Sequence, residues 1–157
     1  MRSSDKKPLG SHGLARSFEL FNEIGIVAQL SRTQLTDKMP VGLMSSHFGI
    51  LNHLIRVADG PTPMALANAF QVPKTTMTHT LKGLKTHRLI TIKPCQEDGR
   101  SKRVWITDSG QILRDQTIAS LGPELASLLH LIPEQQLKTM IEALTTIRKQ
   151  LDNNRSR

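Results

Sequence analysis

Asp98-Gly99-Arg100-Ser101-Lys102-Arg103, running on into Val104-Trp105-Ile106-Thr107-Asp108-Ser109-Gly110, is the stretch on which the fold turns. Asp98-Gly99 stands between two runs that alternate in strand fashion, Leu89-Ile90-Thr91-Ile92-Lys93 and Arg103-Val104-Trp105-Ile106-Thr107. A turn pair between alternating runs predicts a β-hairpin. A tight loop there projects Arg100, Lys102 and Arg103 away from the body of the protein. Cationic groups on an exposed ribbon suit contacts with phosphate, or an arginine reaching into a minor groove. A solvated hairpin whose charges serve only solubility carries the same residues, so the loop alone leaves both readings open.

Upstream of the hairpin, Pro63 to Leu89 reads as two short helices. Thr62 is placed to cap the first and Pro63 to occupy its first position, where a missing N–H is harmless. Met64, Leu66, Ala67 and Phe70 form its apolar face, and Gln71-Val72-Pro73 the turn. The second helix begins at Lys74 or Thr75. Met77, Leu81 and Leu84, spaced by four and three, face inward, which leaves Thr75, Thr76, Thr78, His79 and Lys82 outward. Short helix, tight turn, and a helix with hydroxyl, imidazole and lysine groups outward is the plan of a recognition helix in a major groove. Its first turn, at Lys74 to Thr76, also turns backbone N–H groups toward phosphate. Threonines that merely cap and solvate a surface helix fit the same pattern.

The charge distribution weighs between these readings. The 157 residues hold 21 Lys and Arg against 13 Asp and Glu, a net charge of +8. Lys74, Lys82, Lys85, Arg88, Lys93, Arg100, Lys102 and Arg103 face only Glu97 and Asp98, so residues 74–103 carry +6 of that total. Residues 1–16 add +3, and the remainder is close to neutral. An excess concentrated on the helix pair and hairpin is the footprint expected for a polyanionic partner, nucleic acid before an anionic membrane surface.

Several classes fall away. No apolar run approaches the ~20 residues of a membrane helix, and the N-terminus lacks an apolar signal core, so the expectation is a soluble cytoplasmic protein. Cys95 is the only cysteine, which leaves no disulfide framework and no Cys-rich metal site. Lys93 lies near enough in sequence to favour a thiolate, but a passive Cys95 is the preferred reading. The histidines at 12, 47, 53, 79, 87 and 130 do not cluster at metal-ligand spacing. There is no glycine-rich phosphate loop, no Gly-x-Ser-x-Gly elbow and no paired-carboxylate pattern. The expectation is therefore no enzyme, no metal and no cofactor.

The flanks are helical. Residues 1–12 read as a basic mobile arm. Leu14, Phe18, Phe21, Gly25 and Ala28, widened by Ile24 and Val27, predict a helix ending near Arg32. Leu43, Phe48, Leu51, Leu54 and Ile55 mark a second helix, stopped by Asp59-Gly60-Pro61. Beyond the hairpin, Asp108 is the expected N-cap of a helix carrying Ile112, Leu113 and Ala119. Gly122-Pro123 should kink or restart the chain before Leu125, Leu128 and Leu129. Pro133-Glu134 starts a last helix, with Leu137, Met140, Leu144, Ile147 and Leu151 as its stripe. That stripe needs a partner, either within the chain or in a second copy. With 38% hydrophobic content and few aromatics the monomer core is small, which favours the second copy. The expected class is mainly α (α+β), a winged helix-turn-helix over 41–110. Dimerisation helices at 13–35 and 111–152 flank it, with a tail at 153–157.

Residues Pro63 to Gly110 resemble the winged-helix core of the MarR family of bacterial transcriptional regulators. Leu66-Ala67 matches the family's Leu-Ala, Val72-Pro73-Lys74-Thr75-Thr76-Met77-Thr78 its turn and recognition helix, and Leu84 and Leu89-Ile90 its entry to the first strand. Asp98-Gly99-Arg100 matches the Asp-x-Arg of its wing, and Thr107-Asp108-Ser109-Gly110 the Thr-x-x-Gly that opens the next helix. The order and spacing span nearly fifty residues, and the flanking helices extend the likeness over nearly the whole chain. Three departures stand out. His79 occupies a position usually held by Arg, and Arg88 replaces the usual Gly after the recognition helix, so that helix must end otherwise or tolerate strain. Ile92-Lys93 also displaces a basic residue by one position.

The resemblance implies a set of roles. Lys74, Thr75, Thr76, Thr78, His79 and Lys82 would contact double-stranded DNA from the recognition helix. In the wing, Asp98 would brace Arg100 by a salt bridge while Arg100 enters the minor groove. Lys102 and Arg103, with Ser101, would hold phosphates. Leu14, Phe18 and Phe21, together with Leu137, Met140, Leu144, Ile147 and Leu151, would build the interface of a homodimer. A twofold dimer reads a pseudo-palindrome with half-sites about 34 Å apart. The expected function is repression at an operator, with a small-molecule effector that releases DNA. The family also includes activators. A winged helix that binds an acidic protein, or an RNA binder, are the readings from other classes; one Trp, no Tyr and four Phe speak against stacking on single strands.

Overall fold

The computed structural model describes residues 11–57, 59–94 and 101–155. The order is α1 (Ser11–Asp37), α2 (Ser45–Val57), α3 (Pro63–Phe70), α4 (Lys74–Thr86), β1 (Ile90–Pro94), β2 (Lys102–Ile106), α5 (Asp108–Ser120), α6 (Gly122–Leu131) and α7 (Glu134–Arg155). The chain divides into two compact units, Met1–Thr117 and Ile118–Arg157.

The first unit holds the core. On α2, His47, Ile50, Leu51 and Leu54 are buried at steps of three, one and three, the spacing of a single helical face. Leu66 and Ala67 of α3 and Met77, Leu81 and Leu84 of α4 close over them, with Leu89, Ile90 and Val104 joining from the hairpin base. Outside this core, Arg114 on α5 donates from Nε and Nη2 to Asn52 Oδ1 on α2, at 3.1 and 2.9 Å.

Helix ends follow from capping chemistry. Thr62 Oγ1 accepts from the Ala65 N–H at 3.1 Å, and Pro63 takes the first position, as its sequence predicts. Past the end of α3, Gln71 takes φ 53°, with its N–H on Asn68 O and that of Val72 on Ala67 O. The chain leaves α4 in the same way. Arg88 stands at φ 58°, its N–H bonded to Lys85 O at 2.9 Å while the Leu89 N–H reaches Leu84 O at 3.0 Å. This paired 5→2 and 6→1 closure, with apolar Leu84 and Leu89 in the accompanying positions, is a Schellman motif. An arginine occupies its left-handed position. α4 thus ends where a glycine would end it, at the cost of strain.

β1 and β2 pair antiparallel in the register Ile90↔Ile106, Ile92↔Val104 and Pro94↔Lys102. Thr107 Oγ1 accepts from the Gly110 N–H at 3.1 Å and donates to Arg88 O at 2.8 Å. Thr107, one residue before the expected Asp108, is therefore the N-cap of α5, because it also completes a bond to the end of α4. Gly110 is required where α5 crosses the chain after α4: a Cβ there would collide with the Leu89 carbonyl and lie 2.8 Å from Ile106 Cγ1.

Other expectations need correction. α1 runs on to Asp37, past Arg32 and the boundary at 35, because Thr33 to Asp37 contains no breaker even though the apolar stripe has ended. Met64 is 48% exposed, so it is no part of the core face of α3. Ile50, absent from the expected face of α2, is almost fully buried, and Leu43 contributes to the core from before that helix. α7 continues through residues 153–155, which were expected in a tail.

In the second unit the chain restarts at Gly122-Pro123 rather than kinking within one helix, with Pro123 in the first turn of α6. Leu125, Leu128, Leu129 and Leu131 of α6 are exposed, as are Met140, Ile141, Leu144 and Leu151 of α7.

Candidate nucleic-acid interface

The outward face of α4 is built by what its inward face buries. Met77, Thr80, Leu81 and Leu84 are buried, and Lys74, Thr75, Thr76, Thr78, His79 and Lys82 are all exposed. The buried Thr80 hydroxyl is satisfied by donating to Thr76 O at 3.0 Å, and Thr78 Oγ1 donates to Lys74 O at 2.8 Å. Pro73 precedes the helix and supplies no side-chain cap. The first turn therefore presents its backbone N–H groups outward without a capping side chain, the arrangement that receives an anionic oxygen.

α4 is seated on a histidine. The buried His47 ring accepts the Met44 N–H at Nδ1, 2.9 Å away. Its far side faces Gly83, where a Cβ would come within 2.7 Å of Nε2. Burial, reinforced by the positive potential of His87 and His79, holds the His47 pKa below the ordinary 6.5. The imidazole is thus neutral near neutral pH. A glycine at 83 permits this approach, and His47 in turn sets how far α4 stands off α2.

The hairpin base is tied to the loop before α3. The N–H of Val104 donates to Pro61 O at 3.0 Å. The half-buried Arg103 donates from Nη1 to Asp59 O at 3.2 Å and Gly60 O at 3.0 Å. Gly60 takes φ 63°, and the Trp105 ring packs so closely over it that a Cβ would overlap Cζ2 and Cε2. Arg103 therefore spends hydrogen bonds on the protein itself, which the expectation of a simple phosphate clamp did not include. Beside it opens a cleft of about 260 Å³ lined by Leu54, Ile55, Gly60, Val104, Trp105, Ile106 and Gln111. Lys93 and Lys102 are exposed and Ser101 is half-buried. Asp98, Arg100 and Cys95 lie outside the described residues, as do residues 1–10 of the arm expected over 1–12, whereas Ser11 and His12 already belong to α1.

The residues expected at a subunit interface are distributed over both units. Leu14, Phe18 and Phe21 of α1 are 66%, 74% and 48% exposed. On α7, Met140, Leu144 and Leu151 are exposed, whereas Leu137 and Ile147 are half-buried. Sequence reasoning missed His47, Gly83 and the Arg103–Gly60–Trp105 contact. The Asp59-Gly60-Pro61 cluster had been visible only as punctuation. Among the described residues no group of His, Cys, Asp and Glu is arranged to hold a metal, and no helix is long and apolar enough to cross a membrane.

A model of the MarR family matches residues 41–101. A solved structure of MarR aligns at a TM-score of 0.77 with 16% identity, covering 99% of each chain. The transcriptional regulator BldR from Sulfolobus solfataricus aligns at 0.74 with 19% identity, over 87% of this chain and 97% of its own. A mutant MarR from E. coli, solved in complex with operator DNA, aligns at 0.67 with 22% identity, over 84% and 95%. At these identities the structures establish a shared fold, a winged helix with flanking helices.

Proposed function

With residues 41–101 belonging to the MarR family and the whole chain sharing the fold of MarR, we propose that the protein is a transcriptional regulator that binds double-stranded DNA as a homodimer and represses at a pseudo-palindromic operator. The observation that carries this reading is the exposed polar face of α4, Lys74, Thr75, Thr76, Thr78, His79 and Lys82, backed by an inner face of Met77, Leu81 and Leu84 with one buried hydroxyl, that of Thr80, satisfied by Thr76 O. It lies within the segment that holds +6 of the charge. In this reading the threonines and His79 meet base edges, and Lys74 and Lys82 neutralise phosphates. His79 offers a shorter reach than an arginine. Lys102 serves the phosphates flanking the wing. Arg100 enters the minor groove, braced by Asp98.

The homodimer is supported by exposed apolar side chains on α1 and, separately, on α6 and α7, more than a solvated monomer usually leaves uncovered. Twofold symmetry then places two copies of α4 about 34 Å apart on one face of the duplex. Occupancy of a promoter excludes polymerase, and a small-molecule effector that alters the separation of the two lobes would lift repression.

The test is a titration of the full chain with duplex DNA across salt concentrations. Affinity should fall steeply and linearly on logarithmic axes, by a slope of about 0.9 for each phosphate neutralised. Arg100→Ala should weaken binding. A flat salt dependence, or binding indifferent to Arg100→Ala, would refute the DNA-binding reading and favour an acidic protein partner.

A further inference from the structure

We propose that Arg103 is a positioning residue: it locks the wing strand to the start of the helix-turn-helix, so that the wing and α4 address DNA as one rigid unit. The inference rests on the DNA-binding reading and assigns Arg103 a task different from its phosphate-binding neighbours.

Among the described residues, the edge of β2 that faces away from β1 has no strand beside it, and its Val104 N–H meets the segment Asp59-Gly60-Pro61. That segment is a poor strand partner, since Pro61 has no N–H to donate and Gly60 is turned to φ 63°. Its carbonyls nevertheless need donors. Val104 supplies one to Pro61 O. The carbonyls of Asp59 and Gly60 are left for a side chain, and the Arg103 guanidinium reaches both from a single nitrogen, at 3.2 and 3.0 Å. Two residues along the same strand, Trp105 lies over the Gly60 backbone, where no side chain would fit beneath it. Arg103 and Trp105 thus grip one short segment at adjacent points.

What the grip joins gives it functional weight. Immediately after Pro61, Thr62 caps α3, the helix that leads through the turn into α4. Immediately before Arg103, Lys102 opens the strand that returns from the wing. The Arg103 bonds therefore span the junction between the element that reads the major groove and the ribbon that approaches the backbone. A rigid junction is worth affinity because a loose wing would have to be ordered at the moment of binding.

Phosphate contact and positioning leave different signatures. Removing a phosphate-binding cation lowers the salt slope by about one, whereas removing a brace weakens binding at every salt concentration and leaves the slope alone. Trp105 is the only tryptophan, so its emission reports the state of the junction without DNA. The experiment compares Arg103→Ala, Arg103→Lys and Lys82→Ala in the full chain, each checked for wild-type helicity by circular dichroism. Arg103→Ala should shift Trp105 emission to longer wavelength in the free protein and weaken DNA binding roughly five- to tenfold, with the slope unchanged. Arg103→Lys keeps the charge and loses the planar fork, so it should fall between wild type and Arg103→Ala in both readouts. Should Arg103→Ala fail to fold, the lysine variant carries the test alone. Lys82→Ala should lower the slope and leave the emission as it was. A slope lowered by about one with unchanged emission in Arg103→Ala would overturn the proposal in favour of a phosphate contact, and unchanged emission and affinity would overturn it outright. If the wild type itself fails to bind duplex DNA, the regulator reading falls, while the Trp105 shift still decides whether the brace exists.

Discussion

Replacing Arg88 by glycine should make this protein more stable, although it removes a large side chain and adds nothing. Arg88 holds φ 58° at the end of α4, where a Cβ crowds the following carbonyl at a cost of about 1–2 kcal/mol that glycine does not incur. Against this stands the greater freedom of glycine in the unfolded chain, about 0.4–1 kcal/mol. The Arg88 side chain is exposed, so little packing is lost. The net expectation is a gain of about 0.5–1 kcal/mol. For a chain of this size that corresponds to roughly 1–4 °C in melting temperature. The bonds from Arg88 N–H to Lys85 O and Leu89 N–H to Leu84 O are backbone bonds and remain. The assay is urea denaturation followed by circular dichroism and by Trp105 emission, at one fixed protein concentration because dimerisation would otherwise shift the midpoint. Arg88→Ala is the control, since alanine keeps the Cβ and therefore the strain. If Arg88→Ala gains as much as Arg88→Gly, or if the glycine variant is destabilised, the strain is not stored at this residue and the reasoning fails. Should Arg88 also serve a phosphate, both variants would lower the salt slope of DNA binding equally.

Three further outcomes follow from the same geometry. Gly110→Ala should cost at least about 1–3 kcal/mol in urea denaturation, because its Cβ meets a backbone carbonyl that cannot move aside; a neutral effect would mean that α5 can slide on the hairpin base. His47 has a pKa held below 6.5 by burial and by His87 and His79, so as pH falls through 6.5 the unfolded chain binds protons that the folded chain refuses. Stability should be fully present above that pH and decline below it until the folded pKa is reached. His47→Gln should flatten that decline between pH 7.5 and 5.5; an unaltered pH profile would locate the effect elsewhere, with His53, shifted the same way by burial and Arg56 against Asp59, the next group to test. If the proposed homodimer forms through α1, Phe18→Glu, at a residue 74% exposed in the single chain, should leave the fold intact and convert dimer to monomer in sedimentation equilibrium, whereas an unchanged mass would remove α1 from the interface.

The helix-turn-helix was legible because its signals are local. Thr62-Pro63 states where α3 begins, and Met77, Leu81 and Leu84 state which face of α4 is buried, without reference to any distant residue. The strands were legible to within one residue from alternation. Legibility failed where a position depends on contacts distant in sequence. Thr107 rather than Asp108 caps α5 because Thr107 also bonds Arg88 O, a relation across 19 positions. Met64 and Ile50 lie on the edges of their stripes, where periodicity is silent and only the neighbouring helix decides. The Arg103 brace crosses more than forty positions to two backbone carbonyls, atoms that carry no residue identity for a pattern to find. The charge footprint was visible in composition, but charge does not distinguish an arginine that faces solvent from one that holds the protein together.

The closures at Gln71 and Arg88 bracket α4 on both sides, and its inner face is secured by Met77, Thr80, Leu81 and Leu84. Everything that maintains the helix is thus separated from what it presents. Substitutions at Thr75, Thr76, His79 and Lys82 fall on exposed sites, where changes usually move stability by no more than about 0.5 kcal/mol. On the proposed DNA-binding reading the helix behaves as an interchangeable cassette: its lettering can be rewritten toward new operators, by selection or in the laboratory, while the frame that carries it stays the same.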